Sequence, residues 1–448
     1  MGVRLAVLAV LLLLPSLALP ANERLLAAVG DVTDTSAVLW ARGLSEGQLR
    51  VGYGPAGASP DGTAQLAVTR GRDFTGKIGL AGLRPATRYA YRIEGDGATA
   101  TGEFVTAPAP DTPGPVTFVW SGDLGSARFC RKREVGYRIF AAMARPRPDF
   151  FLFVGDTIYA DHRCWGPEVV AGGDFVATTL PGFHRKYRFN REDPALGSFL
   201  AATSVNAIWD DHEVRNDFAG STDSLMPTGR QAFLDYWPIL PPAEEPTRLY
   251  RSLRWGKLLE IFILDTRQYR SPNSALDGPA KTMLGPAQRR WLIDGVATST
   301  ALWKVVVSSV SLSVSTGKAS RDSWSNATVW GIPEENSTGF AVERDAILRT
   351  WAGRGVKNIV FIVADVHHAE LIRHQPASQL SLHEFIAGPL SASPGRPRAL
   401  DAALNPRSLF ARGGVNNFGL VQVEPALLTV RIVDEAGAVL FTHTIGPE

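Results

Sequence analysis

Cysteine is nearly absent: only Cys130 and Cys164 occur in 448 residues. No dense disulfide framework can hold this chain, and its stability must come from a packed core. Charge of one sign is also scarce in blocks. The longest run is Arg131-Lys132-Arg133, and 46 Lys and Arg against 44 Asp and Glu leave a formal charge of +2. A nucleic-acid or membrane-surface partner therefore has no electrostatic footprint. The apolar run at residues 5–14 is shorter than the roughly 20 residues of a membrane span. It follows the lone Arg4 and precedes Pro15, Ser16, Ala18 and Ala21. The pattern reads as a secretion leader over residues 1–21, with a membrane anchor as the weaker alternative. With no second arginine beside Arg4, export is expected to be Sec-type rather than twin-arginine. The mature chain is then periplasmic or secreted, with no transmembrane anchor. In such an oxidising compartment Cys130 and Cys164 can pair; two idle thiols, or one weak metal ligand, are the alternatives.

What is present is ordinary globular composition, 45% apolar and 20% charged, in a length that predicts two domains behind the leader. Residues 22–107 read as short alternating strands broken by Gly, Asp and Pro. Leu49, Val51 and Tyr53 alternate with polar or small residues, and so do Tyr89, Tyr91 and Ile93. A small all-β sandwich is predicted. Residues 83–91 resemble the tyrosine-corner segment of fibronectin type III domains, which makes Tyr89 structural. A Pro-rich linker at 108–115 closes this domain. In residues 116–448, apolar strands predicted at 116–120, 150–154, 258–264, 304–310 and 359–363 alternate with helical stretches such as 342–351. That alternation predicts an α/β core with both sheet faces covered. Residues 420–423 and 428–433 predict a closing antiparallel hairpin.

The residues that carry chemistry sit just after these strands. Asp123 follows the first, and Asp156 and Tyr159 follow the second. Asp210, Asp211 and His212 follow another apolar stretch, and Asp365 and His367 end a late strand. Ligands of α/β sheets bind beyond the carboxyl ends of strands, so the four segments can converge. Four or more carboxylates in one pocket repel one another unless cations neutralise them; convergence therefore implies metal. Taken singly, each residue has a bland reading: Asp123 and Asp156 as turn or cap residues, Tyr159 as core, Asp211 as an N-cap, His367 and His368 as ordinary histidines. His162, His184, His374, His383 and His443 lack neighbouring ligand types and read as surface or core. The basic residues Arg128, Arg131, Lys132 and Arg133 read either as an attractant for anions or as a solvated loop.

The order of these motifs resembles the calcineurin-like metallophosphoesterase pattern. More closely, the stretch Trp209-Asp210-Asp211-His212-Glu213-Val214-Arg215-Asn216-Asp217, with residues 264–270 and Asp365-Val366-His367, resembles the alkaline phosphatase D (PhoD-like) family. The resemblance implies an α/β fold of two stacked sheets flanked by helices, preceded by the small all-β, fibronectin III-like domain. It implies a catalytic domain over 116–448 that hydrolyses phosphate esters at two or more metal ions. By resemblance, Asp123, Asp156, Tyr159 and His367 hold one ion, and Asp156, Asp211 and Asp365 hold a second. Fe(III) plus Ca(II) are the ions implied. Several members carry Cys where Asp123 stands, which opens the first position to zinc, manganese or magnesium. Two such ions would grip the phosphoryl oxygens and activate water for in-line attack. His212 is the candidate general acid and Asn216, if the segment is helical, a phosphate donor one turn on. Asp210 and Arg267 are expected to brace the ligands from behind. Expected substrates are phosphomonoesters, with phosphodiester activity alongside, handled by a monomer. The rivals are a dedicated phosphodiesterase acting on lipid or cell-wall polymers, and a binding protein with a structural metal.

Overall fold

Period-two alternation fixes the first layers. Strands β1 (Leu26–Gly30), β2 (Ser36–Arg42) and β5 (Thr75–Ala81) form a three-stranded sheet in the order β1-β2-β5. Strands β3 (Gly47–Pro55), β4 (Gly62–Val68), β6 (Arg88–Gly95) and β7 (Ala98–Val105) form a four-stranded sheet in the order β4-β3-β6-β7. Leu25, Ala27 and Val29 point into the core shared by these two sheets, with Leu49, Val51, Tyr91 and Ile93 opposite. Tyr89 is buried in the same core, stacked on Phe104 at 5.4 Å, and its hydroxyl accepts the Arg84 backbone N–H at 2.9 Å. This is a computed structural model that describes residues 24–448; the leader expected at 1–21 lies outside the described residues.

The remaining strands build two larger sheets. One has the order β10 (Ser204–Ile208), β9 (Phe150–Val154), β8 (Val116–Ser121), β18 (Asn417–Val423), β19 (Leu428–Asp434), β20 (Val439–Ile445). The other runs β11 (Arg251–Trp255), β12 (Leu259–Ile263), β13 (Trp303–Ser308), β14 (Ile359–Val363), β16 (Leu380–Ile386), β15 (Ala369–Ala377), β17 (Arg407–Arg412). β8, β9 and β10 are mutually parallel, as are β12, β13, β14 and β16. Both faces of these strands are covered, so Phe-Phe-Leu-Phe-Val and Ile-Val-Phe-Ile-Val are buried at every residue, as parallel strands require. Val305, Val307, Val360 and Ile362 face the first sheet, where Trp120 meets Phe385 at 6.3 Å. Val306, Phe361 and Val363 face the helices α5 (Gly285–Thr298) and α6 (Ala341–Gly353) through Leu292, Ile347 and Trp351. The outer face of the first sheet is covered by α1 (Ile139–Ala144), α2 (Leu180–Arg191), α3 (Pro194–Ala202) and α4 (Met226–Tyr236). The two-sheet, helix-flanked architecture behind an all-β segment is the one the family resemblance implied.

The small sandwich packs on this core through its other face. Leu26, Ala28 and Trp40 join the main hydrophobic cluster. The Trp40 indole donates to the Asp235 carbonyl at 2.7 Å and lies 4.2 Å below the Arg191 guanidinium. Lys77 donates to the carbonyls of Leu234 and Ile239, each at 2.6 Å. Half-buried Asp73 accepts from Tyr236 at 2.5 Å, Arg188 at 3.0 Å and Arg42 at 3.2 Å. Burial pushes the Asp73 carboxyl up, but the hydrogen bonds of Tyr236 and Arg42 and the charges of Arg42 and Arg188 outweigh it and hold it below the usual range.

A depressed native pKa contributes stability above the unfolded carboxylate's value and loses it as pH falls through the native one. Asp73→Asn is therefore expected to lower unfolding free energy at pH 7 by about 1–3 kcal/mol. In urea melts the gap from wild type should close as pH drops below about 4. A gap unchanged at acid pH would show that the Asp73 charge contributes nothing to this interface.

Candidate metal centre

The strand ends turn sharply at the site. Asp123, Asp156, Asp365 and His367 all take φ between +49° and +64°, a left-handed conformation that costs non-glycine residues about 1–3 kcal/mol each and concentrates at functional positions. It swings each side chain over its strand end. Glycines make room: a Cβ on Gly155 would lie 2.5 Å from Asp210 Cβ, and one on Gly388 would lie 2.7 Å from Asp123 Oδ2.

β8, β9 and β10 supply Asp123, Asp156 and Asp211 from adjacent strands, and β14 of the facing sheet supplies His367. Asp123, Asp156 and His367 offer ligand atoms that all lie within 4.8 Å of one another. The Tyr159 hydroxyl is 3.1 Å from His367 Nε2, which is 3.5 Å from Asp123 Oδ1. His367 Nδ1 faces the Ser393 carbonyl at 2.7 Å, so Nε2 is turned to the carboxylates. A second group meeting the same 4.8 Å criterion comprises Asp156, Asp211 and His212. Asp156 is common to both. Asp365 belongs to neither group. Its Oδ2 is buried without a partner, and its carboxyl is pushed well up by burial and by Asp210 and Asp211.

The electrostatics fit bound cations. Burial and the neighbouring carboxylates push Asp123 and Asp156 well above the ordinary range, and both Asp123 oxygens are buried without a hydrogen-bond partner. Burial, with Asp156 and Asp123, likewise raises the Tyr159 phenol, while burial holds the His367 imidazole down to about 4, neutral and able to ligate. Polar atoms so enclosed are costly unless paired, and this donor set of carboxylates, one phenol and one neutral imidazole suits hard or borderline cations.

Behind these groups lies Arg267, fully buried. It donates to Asp210 at 2.5 Å, holds Asp322 through two bonds of 2.9 and 2.7 Å, and stands 3.9 Å from Asp211. Ser309 also donates to Asp210 at 2.7 Å.

Three residues here escaped the sequence reading. Glu213 takes the backbone N–H of Asp156, Thr157 and Asp210 at 3.2, 2.6 and 2.8 Å, tying the β9 and β10 turns together. Its place in the Trp209–Asp217 stretch was the available signal. Asp161, two residues beyond Tyr159, accepts His212 Nδ1 at 2.7 Å, His162 Nδ1 at 3.0 Å and the Asn216 N–H at 2.9 Å. Asp322 had no signal, because only folding brings it to Arg267 and Arg270.

Two expectations need correction. His162 does have neighbouring ligand types, since it groups with Asp161 and His212. The helix on which the role of Asn216 is conditional does not form: residues 211–217 are turns and bends. Asp211 accepts the Asp217 N–H at 2.6 Å, and Asp161 accepts that of Asn216. Such side-chain-to-backbone bonds compete with helix. Asn216 is exposed and lines a cleft of about 380 Å³ with Arg215, Asp217, Asn273 and Ser320. The basic loop is tied into structure: Arg131 and Arg133 donate to the carbonyls of Phe189 and Val169, and Arg128 lies over Trp165. Cys130 and Cys164 are joined in a disulfide beside it. Neither the cleft at Asn216 nor a larger cavity of about 560 Å³ behind the basic loop is lined by any of Asp123, Asp156, Tyr159, Asp211, Asp365 or His367.

The His212 imidazole stacks on Tyr159 at 4.2 Å. Burial pushes it down, but Asp211, Asp161 and Asp210 outweigh burial and raise it to about 9.

Fold and site together define a metallophosphatase-type scaffold. A solved structure described as that of PhoD covers 94% of this chain and 92% of its own, with a TM-score of 0.74 at 20% identity. Purple acid phosphatase PPD1 from yellow lupin (Lupinus luteus) seeds covers 95% of this chain and 74% of its own, with a TM-score of 0.66 at 14% identity. The PhoD-like phosphatase model matches residues 124–424, and the chain belongs to that family. Alkaline phosphatase D of Bacillus subtilis (strain 168) is 28% identical over 389 residues, which span 76% of this chain and 63% of that protein's length.

Asp161→Asn is expected to lower turnover of an aryl phosphate about 10–100-fold with metal content unchanged. Elemental analysis beside steady-state kinetics checks this; loss of metal in the variant would make Asp161 a ligand rather than a positioning residue.

Proposed function

We propose that this protein hydrolyses phosphate esters at a centre of two or more cations, acting on phosphomonoesters with phosphodiesters as further substrates. The observation that carries this reading is the convergence of Asp123, Asp156, Tyr159, Asp211 and His367 at the ends of strands from two sheets, in a chain of the PhoD-like phosphatase family. Asp123, Asp156, Tyr159 and His367 would hold one ion, and Asp156 and Asp211, with Asp365 alongside, a second. A phenolate donor favours Fe(III) at the first position, and the carboxylate-rich second position favours Ca(II); zinc, manganese or magnesium are the other assignments. Bound ions supply positive charge to the phosphoryl oxygens and acidify water.

The chain's own residues do the rest. His212 is the proton donor to the leaving oxygen: Asp161 engages Nδ1, leaving Nε2 for substrate. Asn216 and Arg215, on the cleft wall, are the donors to the phosphate or to the alcohol beyond it. Arg267 and Asp210 hold the Asp211 turn against repulsion. Export to the periplasm or medium is part of the proposal, supported by the leader-like residues 1–21 and the Cys130–Cys164 disulfide.

Asp156→Ala is expected to cut turnover of aryl phosphate by roughly 10³-fold or more and to lower the metal content of purified protein. Unaltered activity in this variant would make the Asp156 centre structural, and no turnover by wild type would revive the binding-protein alternative. Removal of metal by a chelator should abolish turnover and lower the melting temperature, since an ion bound only by the folded state stabilises it. If iron occupies the first position, Tyr159→Phe should erase a visible phenolate-to-iron absorption band; a colourless active protein would overturn the iron assignment and spare the hydrolase. Rates on aryl and bis-aryl phosphates, measured side by side, rank monoesters against diesters.

A further inference from the structure

Three of the four highest exposures among large apolar side chains of the described residues fall in one stretch: Trp330 at 79%, Val329 at 71% and Ile332 at 61%, with Leu276, also at 61%, the fourth. The first three occupy the tip of a hairpin at residues 328–333. Backbone bonds from Thr328 N–H to Ile332 O at 2.8 Å and from Gly331 N–H to Thr328 O at 2.9 Å close it, and Ala327 bridges Pro333 at its root. The Thr328 hydroxyl accepts the N–H groups of Trp330 and Ile332. Leu276 precedes Asp277, whose carboxylate accepts from Asn326 at 2.6 Å beside the same root. The tip is therefore held in shape while its apolar side chains face water.

The hairpin is also joined to the candidate centre. Gly331 abuts the Leu400 carbonyl, and its own carbonyl accepts the Ala402 N–H at 3.0 Å. The same loop starts at Ser393, whose carbonyl meets His367 Nδ1, and Gly395 donates to the His367 carbonyl at 2.6 Å. Between these anchor points lie the exposed Arg396 and Arg398. Arg398 reaches the Ser315 carbonyl at 3.3 Å, with exposed Lys318 three residues further on. On the acidic side, Glu334 is paired with Arg321 at 3.1 Å, which leaves Glu335 against three cations.

We propose that the hairpin 328–333 is an apolar prong that seats this protein on an anionic phospholipid surface, with Arg396 and Arg398 meeting the headgroups beside the candidate centre. A protein partner is disfavoured by size, because three side chains on a protruding tip fall far short of the roughly 800 Å² that a stable partner covers. Tryptophan flanked by aliphatic residues and next to basic groups suits the interfacial region of a bilayer instead. The evenly balanced sequence gave no electrostatic footprint for a membrane surface; here the anchor is apolar, and the basic groups gather only in three dimensions. That lipid headgroups are also substrates rests on the hydrolase reading above, whereas the docking does not.

Co-sedimentation of the full chain with vesicles of phosphatidylcholine, with and without phosphatidylglycerol, tests the prong. Wild type is expected to pellet with phosphatidylglycerol-containing vesicles more than with phosphatidylcholine alone. The variant carrying Val329→Ser, Trp330→Ser and Ile332→Ser should bind roughly tenfold or more weakly while its turnover of soluble aryl phosphate is unchanged. These side chains are mostly exposed, so their replacement leaves the core intact. Equal pelleting of wild type and variant, no pelleting of wild type, or a prong-dependent dimer in sedimentation velocity would each overturn the proposal. Vesicle binding by wild type alone, with no ester turnover in either protein, would support the prong and sink the hydrolase reading.

Discussion

Repulsion among buried carboxylates governs this structure. Asp123, Asp156, Asp210, Asp211 and Glu213 are buried at the ends of three adjacent parallel strands, and Asp365 reaches them from the facing sheet. Like charges at such spacing in a poorly polarisable interior destabilise a fold by several kcal/mol unless something compensates. Two compensations are built from the chain. Arg267, fully buried, joins Asp210 to Asp322 and stands close to Asp211. Glu213 is shielded differently: it accepts three backbone N–H groups, so its acid group works as a clamp between two turns. Asp123, with both oxygens unpartnered and its carboxyl pushed well up by burial and its neighbours, has neither remedy from the chain, and its environment is the one a cation would relieve.

The scaffold is built to hold that stress. Parallel strands buried on both faces give fixed ends, and left-handed backbone at Asp123, Asp156, Asp365 and His367 turns the chain just beyond them. Helices on the outer faces, and the small sandwich bound through Trp40, Asp73 and Lys77, leave the strand ends as the open rim. Beside this rim, loops from both sheets wall a cleft: residues between 215 and 223 on one side, and 272–274 with 319–320 on the other.

Much of this was legible in the linear order of residues. Apolar runs at 150–154 and 359–363 coincide with β9 and β14, because a strand buried on both faces needs an unbroken apolar run and nothing competes with it. Other boundaries shifted by a few residues, as at β13, where the apolar pattern runs past the last ladder bond. Whether Asn216 lies on a helix is left open by sequence, because the carboxylates of Asp161 and Asp211 that capture the backbone of this turn are not visible in local spacing. Asp161 carries no signal in sequence, and His162 reads there as surface or core, for a related reason: their partner His212 is some fifty residues away.

Composition, strand periodicity and the order of Asp, Tyr and His motifs determined by themselves the fold class, the family resemblance and the small set of residues bearing chemistry, since these depend on local pattern. Tertiary structure alone decided how those residues group. It made Asp156 common to two clusters, left Asp365 outside both, gave Arg267 its partner Asp322, joined Cys130 to Cys164, and set an apolar hairpin beside the His367 loop. The physical reason is that each of these rests on contacts between segments distant in the chain, whose distances only the packing of the two sheets sets.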